Sequence, residues 1–188
     1  GERWGVEVRF VNIAFDGLYD ALLAGRLDVI LSALPQDPLL TRDVLYSKPY
    51  FLAGQVIVAP SLNPVSSPDE LRDRAVAVEL GADGHAELVR LNRDRGLDVH
   101  ILARPSLQEA LATLAAGEAH ALVCDRVDAL PLTASGGYVI GLVPLSTDPY
   151  VAATGIGSPR LAAELDDALE ALRQDGTLAQ MQNDWLGR

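Results

Sequence analysis

Asp125 closes the run Ala119-His120-Ala121-Leu122-Val123-Cys124, which reads as a buried strand. Ligands of α/β sheets bind beyond the carboxyl ends of strands, and a carboxylate there can act as counter-ion to a ligand's ammonium. Its competing role is N-cap of a helix starting at Arg126. Gly81-Ala82-Asp83-Gly84-His85 is a second such junction, between a strand and a helix, where backbone amides attract an anion. Asp83 could equally cap that helix. Glu79 stands two residues before Gly81 and could face a ligand or solvent, and His85 could line the mouth of the same place. A third junction is Ser32-Ala33, where small residues permit close approach to the backbone and successive amides form an anion nest. His85, Cys124 and Asp125 lack metal-ligand spacing, so no metal and no cofactor is expected. Cys124, the single cysteine, excludes an internal disulfide and reads as a small buried apolar group.

These positions require elements to hold them. Strand signals fall at 6–12, 27–33, 55–60, 75–80, 98–103, 119–124 and 137–143, each rich in Val, Ile or Leu and bounded by Gly, Pro or Asp. Residues 16–24 carry Leu18, Ala21 and Leu22 on one helical face and stop at Gly25; residues 84–95 carry Ala86, Leu88 and Leu91. Ser106 and Glu109 form a capping box for a helix ending at Gly117. Ser67-Pro68 and Ser158-Pro159 are further helix starts with proline at the first helical position. The helix after Ser158 carries Leu161, Leu165, Ala168, Leu169 and Leu172 and closes at Gly176, and a final helix runs over 178–186. Strands alternating with helices predict parallel βαβ units.

The 188 residues suit one large domain or two small ones. A hydrophobic share of 49% with 22% charged residues is ordinary globular composition. A net charge of −11 repels phosphate backbones and excludes nucleic acid as a natural partner. No apolar run reaches the length of a membrane span. The opening, GERWGVEVRFVNIAF, reads as the end of a helix (Glu2–Trp4, stopped by Gly5) entering a strand. The expectation is therefore that a segment precedes it and carries any export signal, which this chain does not show.

Five stretches, in order, resemble the family 3 extracellular solute-binding proteins, the polar amino-acid-binding components of ABC importers. They are FDGLYDALLAGRLDVILSAL, YSKPYF, VAVELGADG, ALATLAAGEAHALVCD and ALRQDGTLAQMQNDWLG. The resemblance implies the type II periplasmic-binding-protein fold, two α/β lobes joined by two hinge strands and closing on a ligand. Lobe 1 would be 1–50 plus 150–188 and lobe 2 would be 55–147, with crossings near Tyr50–Gly54 and Thr147–Tyr150. Lobe 1 would lack its first strand and most of its first helix, which invites a partner chain, as a homo-oligomer or by strand exchange.

The same resemblance assigns ligand contacts. Phe15 matches an aromatic that stacks on the ligand, Ser32, Ala33 and Leu34 match a ligand-binding turn, and Gly81, Ala82, Asp83 and Gly84 match a ligand-binding loop. Asp125 matches the carboxylate that holds the ligand's ammonium. The family's hydroxyl and carboxylate-binding arginine fall at Pro35 and Leu40 here, and Asp83 stands where the family usually has a hydroxyl. Arg42, two residues beyond Leu40, is the nearest base, on the opposite side of a helix. Arg42, Glu79 and His85 are thus further candidates. The implied function is non-enzymatic capture of an amino acid or amine-like solute outside the cytoplasm, for delivery to ABC transporter membrane subunits. The alternatives are a receptor's sensing domain and a cyclohexadienyl-dehydratase-like enzyme with Glu79 as general acid.

Overall fold

The computed structural model describes residues 1–134 and 136–186. In chain order its elements are α1 (Leu18–Leu23), β1 (Val29–Ile30), β2 (Val44–Tyr46), β3 (Phe51–Ala53), β4 (Gln55–Pro60), β5 (Ala75–Glu79), α2 (Asp83–Arg95), β6 (His100–Arg104), α3 (Leu107–Ala115), β7 (Ala121–Asp125), α4 (Arg126–Ala134), β8 (Tyr138–Ile140), β9 (Asp148–Tyr150), β10 (Ala153–Gly155), α5 (Pro159–Gln174) and α6 (Thr177–Leu186). Short 3₁₀ turns lie at Phe15–Gly17, Pro38–Leu40 and Pro68–Leu71. The chain divides into two compact units, one of Gly1–Leu52 with Pro149–Met181, the other of Ala53–Asp148 joined by the described residues after 181. The lobe assignment above places those last residues with the first unit instead. The strands at the two crossings, β3 and β9, pair with each other.

The second unit holds a five-stranded sheet in the order β6-β5-β7-β4-β8. β5 pairs in parallel with β6 and β7, whereas β4 runs antiparallel to β7 and β8. The sheet is therefore mixed, not wholly parallel. Its strands read as continuous apolar runs because both faces are covered. Ile57, Val76, Val78 and Val123 face Leu88 and Leu91 of α2. Val56, Val58, Ala77, Leu122 and Cys124 face Ala110 and Leu114 of α3 and Ala129 of α4. Each buried leucine of α2 contributes about 1.5–3 kcal/mol. Ala86, placed on the same face by the sequence pattern, is exposed, so the apolar stripe of α2 is narrower than expected. Gly54 makes β4's start possible: at φ +108° an added Cβ would lie 2.5 Å from the Ser146 carbonyl oxygen.

The first unit is built on an antiparallel sheet, β1-β10-β2, with Val29 opposite Thr154 and Ala153 opposite Tyr46. Its core joins Leu18, Leu22, Ile30, Leu34, Val44 and Ala153. The strand expected over 27–33 contracts to β1, because only Val29 and Ile30 find a partner in β10. The strand expected over 6–12 does not form: Val6, Val8, Phe10 and Val11 are exposed, and no strand among the described residues pairs with them. The helix end expected at Glu2–Trp4 is a hydrogen-bonded turn, closed by Gly5 N–H donating to the Glu2 oxygen at 3.2 Å.

The helix starts are only partly as expected. Ser106 Oγ accepts from Glu109 N–H and donates to the Glu109 carboxylate, both at 3.3 Å. Ser67 and Ser158 stand at N-caps without a side-chain cap bond. Asp37 caps its short turn, accepting from Leu39 N–H at 2.8 Å.

Candidate ligand-binding site

In the second unit the candidate residues gather at the carboxyl ends of β5 and β7. Asp125 is the last residue of β7, and its Oδ1 accepts the Val127 N–H at 2.8 Å. It therefore is a helix cap, satisfying an amide of the first turn of α4. Its other oxygen forms no hydrogen bond among the described residues. Burial pushes the Asp125 carboxyl above its ordinary value; the Val127 amide pulls it back, and Asp128, Asp148 and Asp83 raise it further. Apart from that amide, the groups acting on Asp125 are all carboxylates. Such a cluster carries uncompensated negative charge, and a bound cation relieves it.

Asp128 and Asp148 were not singled out from the sequence. Asp128 lies one helical turn beyond Asp125, a spacing that could have flagged it. Asp148 is brought in by tertiary structure: Ser146 Oγ accepts the Gln55 N–H at 3.0 Å and donates to Asp148 Oδ2 at 3.4 Å, while Gln55 stands opposite Asp125 in the β4–β7 register.

At the end of β5, Glu79 is half-buried and Gly81 turns the chain at φ +82°. The Gly81 N–H donates to His85 Nδ1 at 3.3 Å, so His85 braces the loop, and its Nε2 carries the proton in the neutral ring. Asp83 is not the cap of α2: Ala82 holds that position and Asp83 is already helical, with its side chain exposed. The amides of Asp83 and Gly84 find no acceptor among the described residues, as expected for a first helical turn. Gly84 is fixed by space. A Cβ there would lie 2.8 Å from Gln55 Oε1 and 2.9 Å from Val123 Cγ1, so only glycine lets α2 lie this close to β7.

In the first unit Phe15, at 55% exposure, opens a 3₁₀ turn and is not a core residue. Ser32 and Ala33 are exposed. Leu34, the next residue of that turn, has its side chain in the core at 1% exposure, and its carbonyl accepts from Val151 N–H at 3.0 Å. Leu40, expected to face the ligand, instead packs on that core beside Ile13, Tyr19, Leu27 and Tyr46. The Pro38–Leu40 turn is too short to present it elsewhere, and Tyr46 anchors the turn by accepting the Asp37 N–H at 3.3 Å. Arg42 is exposed, without an ion pair among the described residues. No group of three or more His, Cys, Asp or Glu side chains among the described residues is placed to hold a metal ion.

Bacterial extracellular solute-binding proteins, family 3, match this chain over residues 1–188. The chain belongs to that family. A probable amino-acid ABC transporter-binding protein of Haemophilus influenzae is 28% identical over 190 residues, covering 99% of this chain and 72% of its own length. An ancestral cationic amino acid solute-binding protein of solved structure is 28% identical, with a TM-score of 0.69 over 98% of this chain and 80% of that one. A polar amino acid ABC uptake transporter substrate-binding protein from Streptococcus thermophilus shares the fold, with a TM-score of 0.86 at 18% identity over 100% of this chain and 74% of that one. This family 3 chain is thus a solute-binding protein with the two-lobed α/β fold. No helix among its described residues is long and apolar enough to cross a membrane.

Proposed function

We propose that this solute-binding protein captures a small amino acid or amine carrying a positive charge and hands it to the membrane subunits of an ABC importer, outside the cytoplasmic membrane and without catalysis. The observation that carries this reading is the Asp125 carboxylate at the carboxyl end of β7, one oxygen bonded to the Val127 amide, in surroundings where burial, Asp128, Asp148 and Asp83 disfavour its charge. An anionic solute would add to that repulsion, and a cation removes it. In the second unit Asp125 holds the positive end, and the amides of Asp83 and Gly84 receive an anionic end. In the first unit the exposed Phe15, Ser32 and Ala33 are proposed as contacts. Lobe 1 is read as 1–50 with 150–188 and lobe 2 as 55–147. The ancestral relative named for cationic amino acids supports the choice of charge.

The test is a thermal-shift panel of lysine, arginine, ornithine and putrescine against glutamate and aspartate. Stabilisation is expected from the cationic set alone, and by mass action a ligand at 100 times its Kd raises stability by about 2.7 kcal/mol. Equal stabilisation by glutamate would remove Asp125 from the charge-selecting role.

A further inference from the structure

Gln55, the first residue of β4, is buried at 6% exposure. Its backbone is pinned: the N–H donates to Ser146 Oγ at 3.0 Å, and the carbonyl accepts the Leu145 N–H at 2.8 Å. Neither end of its side-chain carboxamide forms a hydrogen bond among the described residues. A buried amide without partners costs folding free energy. Yet the carboxamide is not sealed in: the one fully enclosed, unpartnered side-chain polar atom among the described residues is Thr154 Oγ1, in the first unit. The polar tip of Gln55 therefore reaches an opening. Gln55 stands opposite Asp125 in the antiparallel β4–β7 register, so the two side chains share a face, their Cβ atoms about 4.5–5.5 Å apart. It is the face that α2 covers, because Ile57, two residues on, shares a core with Leu88 and Leu91. Gln55 Oε1 lies at the start of α2, 2.8 Å from where a Gly84 Cβ would be.

We propose that Gln55 is a specificity-determining residue of this site: its Nε2 donates to a carboxylate oxygen of the solute, so that the site takes an α-amino acid in preference to the amine that lacks the carboxylate. The placement selects this role. Oε1 is the end of the amide against Gly84, so Nε2, with its two N–H groups, is the end left for a ligand. The Asp83 and Gly84 amides at the same helix start also lack acceptors among the described residues. A carboxylate has two oxygens, one for those amides and one for Gln55 Nε2. Beside them, across the β4–β7 pair, the unbonded oxygen of Asp125 receives the ammonium. An α-amino acid carries these two groups one carbon apart, matching an acceptor and donors set side by side. A solute without the carboxylate leaves the Gln55 donors buried and unpaired, and a site built to hydrogen-bond a group rejects analogues that lack it. The inference rests on the reading of Asp125 as counter-ion and adds the residue that reads the solute's other end.

The test is calorimetric titration of ornithine, and of putrescine, which is ornithine without its carboxylate, into the parent chain, Gln55→Met and Gln55→Glu. The parent should bind ornithine more tightly than putrescine. Gln55→Met keeps the length of the side chain and removes its donors. Its ornithine affinity should fall about 10- to 150-fold, the range for a hydrogen bond to a charged group, while its putrescine affinity stays that of the parent. Gln55→Glu, of the same shape, sets a carboxylate against the solute's own and should reverse the preference in favour of putrescine. Retained putrescine binding shows that each variant is folded. Solute-free Gln55→Met should melt no lower than the parent, because it removes a buried amide that has no partner. A parent that binds both solutes equally, or a Gln55→Met that loses both alike or neither, overturns the inference and leaves the solute reading standing. A parent that binds neither overturns that reading and the inference with it.

Discussion

Val127 N–H donates to Asp125 Oδ1 at 2.8 Å, so one carboxylate oxygen caps α4 while the other forms no hydrogen bond among the described residues. The two roles come apart by mutation. Asparagine caps a helix as well as aspartate does, so Asp125→Asn should keep the α4 start intact. It should lose binding of a cationic solute by about 30- to 5,000-fold, the equivalent of about 2–5 kcal/mol for a charge partner removed. Asp125→Ala loses both, and should cost a further 0.5–2 kcal/mol or so of stability. Calorimetry and thermal unfolding of the two variants separate cap from counter-ion. Unchanged solute binding in Asp125→Asn would reduce Asp125 to a cap.

The pH dependence of the same group has a definite sign. Its folded pKa lies above its ordinary value through burial first and neighbouring carboxylates next. The folded state therefore binds that proton more tightly than the unfolded chain does. Its contribution to stability is fully present below the unfolded value and is lost as pH rises through the folded one. Solute-free Asp125→Asn should consequently equal the parent in acid and exceed it at neutral pH. Lysine affinity should fall as pH drops through the raised Asp125 value, at a higher pH than an ordinary carboxylate would show. Parallel unfolding and binding titrations between about pH 7 and about pH 3 check both directions.

Gly84→Ala tests how the α2 start is held. The new methyl meets Val123 Cγ1 at 2.9 Å inside the sheet's packed face, where the side chain has little room to move. Overpacking of this kind costs about 1–3 kcal/mol, which would appear as a lower melting temperature. The helix must also retreat from β7, so the Asp83 and Gly84 amides move with it. Solute affinity should fall along with stability. A variant as stable as the parent would show that α2 is free to shift.

The second unit was legible in the sequence because its strands are apolar on both faces and its helices carry their own stops. Ser106 and Glu109 mark a helix start that the structure keeps. The first unit was less legible for a physical reason: a strand is defined by its partner. Residues 6–12 have strand patterning but no neighbouring strand, and 27–33 is a strand only where β10 reaches it. At the candidate site, Asp125 was found by position at a strand end. Asp148 could not be, since tertiary contacts, among them the Gln55–Ser146 hydrogen bond, bring it near. Asp83 read as a cap because aspartate favours that role, yet the chain already enters the helix one residue earlier.

Leu40 is where pattern and structure part most clearly, and it yields a prediction of its own. The resemblance places a carboxylate-binding arginine at this position, which makes Leu40→Arg look like a restoration. In the fold the leucine side chain instead covers a core formed by Leu18, Leu22, Ile30 and Val44, beside Tyr46. Tyr46 is held in turn by the Tyr19 hydroxyl at 2.9 Å and by the backbone of Asp37. An arginine there loses apolar contact with that core and sets a guanidinium in its place. Leu40→Arg should therefore lower stability by about 1–3 kcal/mol, or roughly 2–12 °C in melting temperature for a chain of this size, without improving affinity for any α-amino acid. Calorimetry against lysine, arginine and glutamine, with a melting curve alongside, decides it. A tenfold gain in affinity at unchanged stability would mean that position 40 reaches the solute after all, and that the short Pro38–Leu40 turn can swing its last residue out of the core.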